Sequence, residues 1–90
     1  MKIKSGFVLH RVGGEQVVVP VGKRTKDFSG MIRLNDTGAF LWSHMDGNFT
    51  VESLTRDLLS HYDVSSEVAT ATVTKFVESM RRANLLESGD

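Results

Sequence analysis

The chain has 90 residues, enough for one small core and too few for two, with eleven lysines and arginines balancing eleven aspartates and glutamates and no cysteine. That balance supplies no general field for a polyanion or a basic partner, and the lack of thiols excludes a disulfide framework, a thiolate nucleophile and any cysteine-ligated metal. A single domain over residues 1–90 in a reducing cytosol is the expectation, since MKIKSGFVLH offers only Phe7 to Leu9 as an apolar run, far short of a signal-peptide core or a membrane span.

Residues 6–21, GFVLHRVGGEQVVVPV, read as a β-hairpin, because Gly13-Gly14 supplies the positive φ angles of a two-residue turn between two β-branched runs. Phe7, Leu9 and Arg11 share one face of the first strand and Val8, His10 and Val12 the other. In the second, Val17, Val19 and Val21 alternate with Gln16 and Val18, so that one face can line a core. Pro20 cannot donate to a ladder and is expected near the strand's end or with its missing donor outward. The polar stretch GKRTKDFSG, residues 22–30, reads as a mobile loop carrying Lys23, Arg24 and Lys26.

A short third strand, Met31 to Leu34, runs directly into a helix of about ten residues ending near Met45, with Asn35 or Asp36 accepting the first free helical N–H groups. Leu34, Leu41, Trp42 and Met45 mark its buried stripe. Asp46-Gly47-Asn48 breaks it, and Thr50 caps a second helix in which Val51, Leu54, Leu58 and Tyr62 recur at three- and four-residue steps, with Glu52 favouring its first turn. Ser65 caps a third and longest helix with the stripe Ala69, Val73, Phe76, Met80 and Ala83, widened by Val77, and Asn84 suits the left-handed position that ends it. The order is βββααα, an α+β arrangement.

Little in this pattern supports catalysis. His10, His44 and His61 fall on three elements without the spacing of a metal site. Gly22-Lys23 lacks the other residues of a phosphate loop, no serine lies in a Gly-x-Ser-x-Gly elbow, and the acids occupy capping and helix-surface positions. Three helices beside a hairpin also suit a DNA-binding winged helix, but Lys75, Arg81 and Arg82 on the last helix are offset by Glu67 and Glu78, and the net charge is zero. The third strand is more informative. In a meander it pairs on one side and leaves the other edge open, an invitation to an added peptide strand, with Arg33 the one charge in MIRL.

RLNDTGAFLW with the following DG, LTRDLLSHYDVS and VTKFVESMRRANLLE together resemble the PqqD family, small proteins of pyrroloquinoline quinone biosynthesis and the peptide-recognition domains related to them. The resemblance spans nearly the whole chain and implies a winged helix-turn-helix-like fold with a three-stranded antiparallel sheet followed by three helices. It further implies a noncatalytic, cofactor-free adaptor or chaperone. Such a protein binds the leader of a ribosomally synthesised precursor peptide as an extra strand and presents it to a modifying enzyme, commonly a radical S-adenosylmethionine enzyme. Carried over by position, Met31, Ile32, Arg33 and Leu34 would pair with the peptide, and Thr72, Val73, Phe76, Val77 and Met80 would supply or back its groove. Neither nucleic acid nor membrane is an expected partner, and dimerisation through the open edge stays open. Thr72 stands where the family often has Asp, Asn84 where it usually has Gly, and the loop from Gly22 to Gly30 is longer than usual. The alternatives are a DNA-binding winged helix and a structural subunit of an enzyme complex.

Overall fold

The computed structural model describes residues 1–27 and 31–87. The elements are β1 (Phe7–Val12), β2 (Glu15–Pro20), a single helical turn α1 (Arg24–Asp27), β3 (Ile32–Leu34), α2 (Asp36–Ser43), α3 (Val51–His61) and α4 (Ser66–Arg82). The three strands form one antiparallel sheet in the order β1-β2-β3. With the helices that follow, this is the α+β class expected from the sequence. The chain divides into two compact units, Lys4–Phe40 and Met1–Ile3 with Leu41 onward, the boundary falling inside α2.

In the sheet unit, Gly13 and Gly14 have φ of 56° and 86°, the pair of left-handed residues that a type I′ turn demands and that glycine adopts at no steric cost. β2 is the central strand, and consecutive residues Val17 and Val18 are both fully buried. The sheet is therefore covered on both faces of β2, where alternation predicted one. The polar stretch after Val21 is also more ordered than a mobile loop. The Thr25 hydroxyl donates to the Gly22 carbonyl at 2.8 Å, closing the turn α1. Arg24 Nε donates to the Ser5 carbonyl at 2.9 Å, and Gly6, at φ 93°, leaves the space the Arg24 side chain fills. Phe28, Ser29 and Gly30 lie outside the described residues.

The helical unit is built from well-closed helices. Thr50 and Ser53 form a reciprocal capping box at 2.9 and 3.0 Å, flanked by buried Phe49 and Leu54 at the positions of a hydrophobic staple. α3 packs on α4, burying Leu54 and Leu58 from the one and Ala69, Val73, Val77 and Met80 from the other. The α4 stripe thus runs through Val77, with Phe76 and Ala83 half-buried, because steps of four, four and three follow the 3.6-residue period more closely. Asn84 has φ 65°. Its N–H reaches the Arg81 carbonyl and the Leu85 N–H reaches Met80, both at 3.0 Å, a complete Schellman closure. Leu85 and Leu86 are buried behind it. Ile3 pairs with Leu86 as an isolated bridge, and the Glu87 N–H donates to the Lys2 carbonyl.

α2 is shorter than predicted. The His44 and Met45 N–H groups bond to Leu41 and Trp42, three residues back, so the α-helix tightens and stops at Ser43.

Candidate functional site: the open edge of β3

Which backbone groups β3 offers follows from the hairpin. A two-residue primed turn closes on a hydrogen-bonded pair, here Val12↔Glu15. Stepping by two reaches Gly6 and Val21, and the Val21 N–H does donate to Gly6 at 2.8 Å. The intervening Phe7↔Pro20 level is non-hydrogen-bonded, so the donor that proline lacks is not missed by β1. Residues 15, 17 and 19 of β2 therefore bond towards β1, and 16 and 18 towards β3. Since Gln16 faces Leu34, Val17 faces Arg33 and Val18 faces Ile32, Ile32 and Leu34 hold the sheet together. The N–H and C=O of Arg33 point outward. Among the described residues no strand pairs with that edge.

This revises the predicted strand. It spans Ile32–Leu34 and not Met31–Leu34, with Met31 before it and exposed. A guest pairing along all four residues would form four or five bonds of roughly 1 kcal/mol each; within β3 itself, only the two groups of Arg33 are aimed to make them.

The edge is braced by short side-chain ties. Asn35 resolves the choice of cap, its Oδ1 accepting the Gly38 N–H at 2.7 Å and its carbonyl accepting Ala39 at 2.9 Å. Asp36 accepts instead from Gln16 Nε2 at 3.0 Å, pinning the β3–α2 junction to β2. Across the other face, Arg33 Nε lies 3.5 Å from Glu15 Oε2, with the two side chains 75% and 57% exposed, so this ion pair is solvated and weak. A cleft of about 440 Å³ opens between the hairpin tip at Gly14 and the junction at Leu34 and Asp36. Ile32 and Leu34 are half-buried. The Gln16–Asp36 tie had no signal in the sequence, because partners twenty residues apart meet only once the β2–β3 register exists.

The α4 residues carried over from the family resemblance lie in the helical unit. Thr72, Val73, Phe76, Val77 and Met80 share one helix face by spacing. Val73, Val77 and Met80 are core, at most 2% exposed, whereas Thr72 and Phe76 keep part of their surface.

Elsewhere, His44 Nδ1 lies 3.3 Å from Asp57 Oδ2 on the surface, and the rings of His61 and Tyr62 meet edge to face at 4.9 Å. Among the described residues there is no cluster of three or more His, Cys, Asp or Glu side chains able to hold a metal ion, and no helix is long and apolar enough to cross a membrane.

Fold and edge together define an α+β protein whose three-stranded antiparallel sheet is, among the described residues, open along its third strand. The sequence model of the family described as Coenzyme PQQ synthesis protein D (PqqD) matches residues 15–86. The chain belongs to this family. Among solved structures, a chain described as TbiB1 in complex with the TbiA(beta) leader peptide matches with a TM-score of 0.76 and 19% identity, over 100% of this chain and 99% of that one. That likeness is one of fold. Among curated protein sequences nothing matches.

Proposed function

We propose that the protein is a noncatalytic peptide-binding adaptor that takes up the leader of a ribosomally synthesised precursor as a strand added to β3 and presents it to a modifying enzyme. The observation that carries this reading is the outward-facing backbone of Arg33 on a sheet edge with no partner strand among the described residues. An added strand gains main-chain hydrogen bonds for affinity and alternate side-chain contacts for selection. Membership of the PqqD family supports the same reading, as does the fold shared with a chain solved with a leader peptide.

Two backbone hydrogen bonds at about 1 kcal/mol net each do not offset the cost of association. Side chains of the guest must supply the rest, at about 1.5–3 kcal/mol for each large apolar group buried. Ile32, Leu34 and exposed Met31 offer apolar surface beside the edge. On α4, Thr72 and Phe76 have surface to offer, while Val73, Val77 and Met80 support them from the core of their own unit. In this proposal the enzyme served is of the radical S-adenosylmethionine class and the adaptor works in the cytosol.

The test is a titration of isotopically labelled protein with a peptide spanning the leader of the precursor encoded beside this gene. The Arg33 amide should shift and become protected from exchange, with smaller shifts at Thr72 and Phe76. Changes confined to Lys23, Arg24 and Lys26 would sink the proposal.

A further inference from the structure

We infer that the edge selects a guest strand carrying an acidic residue, Asp or Glu, directly opposite Arg33; this rests on the strand-addition reading. Whether the guest runs parallel or antiparallel, the residue level with Arg33 projects its side chain on the same face as Arg33, with Cβ atoms about 4.5–5.5 Å apart. That face is fixed by the register: Arg33 stands opposite Val17, two residues along β2 from Glu15, and its guanidinium accordingly meets the Glu15 carboxylate. The Arg33 side chain is 75% exposed, with Nε 3.5 Å from Glu15 Oε2. A guanidinium carries five N–H donors, so the rest of the fork can reach a second carboxylate.

Glu15 argues the other way, and position decides between them. A guest strand lies one strand spacing, about 4.8 Å, from β3 and two spacings from β2. The Glu15 backbone is thus about 10 Å from the guest, and its carboxylate, 3.5 Å from Arg33 Nε, meets the guanidinium from the β2 side, while Arg33 is adjacent to the guest. Asp36 does not compete, because Gln16, whose side chain belongs to the opposite face, holds its carboxylate. With a formal net charge of zero there is no overall field to swamp the local one.

A library of random dodecapeptides displayed and selected on the full chain tests this, repeated with Arg33→Gln and Arg33→Glu. Wild-type selections should enrich Asp or Glu at one position, Arg33→Gln should erase the preference, and Arg33→Glu should replace it with Lys or Arg at that position. Resynthesised peptides differing only there should favour Asp over Asn by about two- to five-fold on the wild type. If all three proteins select the same peptides with no charge preference while Arg33→Pro abolishes binding, acid selection is wrong and strand addition stands. If the wild type retains no peptide, or Arg33→Pro binds as well as the wild type, strand addition itself fails and the inference with it.

Discussion

The helical unit and the sheet unit deal differently with the backbone groups that secondary structure leaves over. In the helical unit the ends are closed: Thr50 and Ser53 satisfy the start of α3, Ser65 the start of α4, and the turn at Asn84 returns two N–H groups to the last carbonyls of α4. In the sheet unit the hairpin and the Asn35 cap are closed with equal economy, yet the outer rim of β3 has no partner strand among the described residues. A three-residue edge bearing one arginine is short and charged enough to discourage chance pairing while leaving one residue's donor and acceptor for a chosen partner. The contrast separates residues that hold the protein together from those proposed to meet a guest.

Substitutions can break this contrast at either side. The largest effect is expected from Leu54→Ala, which empties a site with no solvent exposure and should cost about 2–5 kcal/mol in urea unfolding. Ile32→Pro removes an N–H that bonds to β2 and should cost about 1–3 kcal/mol, loosening β3 in amide exchange. Asn84→Val forces a β-branched residue into the left-handed region and should cost about 1–2 kcal/mol, read as a lowered unfolding midpoint. Thr50→Ala removes the capping box for about 1 kcal/mol. The smallest change in stability belongs to Arg33→Pro, whose lost N–H points outward, where proline is tolerated. It should leave the unfolding midpoint nearly unmoved and abolish leader binding. Should Arg33→Pro unfold the sheet as readily as Ile32→Pro, the assignment of inward and outward residues is wrong.

Much of the fold was legible because it is written within a few residues. Gly13-Gly14 defined the hairpin, Thr50 and Ser65 the helix starts, and Asn84 the end of α4, since caps and turns are satisfied by neighbours in the chain. The periodic Leu54 and Leu58, and Ala69, Val73 and Met80, marked the buried faces for the same reason. Leu85, Leu86 and Phe49 did not stand out, because a single apolar residue outside a periodic run carries no pattern. Burial of both Val17 and Val18 was equally hidden, depending as it does on what covers a central strand from either side.

For the candidate site the division is sharper. Chain-local chemistry alone determined that the third strand would be short, would carry Arg33 as its one charge and would lead straight into a capped helix. The two-residue turn even determined which residues of β2 face away from β1, because a primed turn closes on only one kind of pair. Which residue of β3 then points outward, and which carboxylate sits beside its side chain, was decided by the pairing of β2 with β3 across residues 21–31. Such a register is chosen by the whole sheet and its ties, Gln16 to Asp36 among them, and no stretch of sequence contains it.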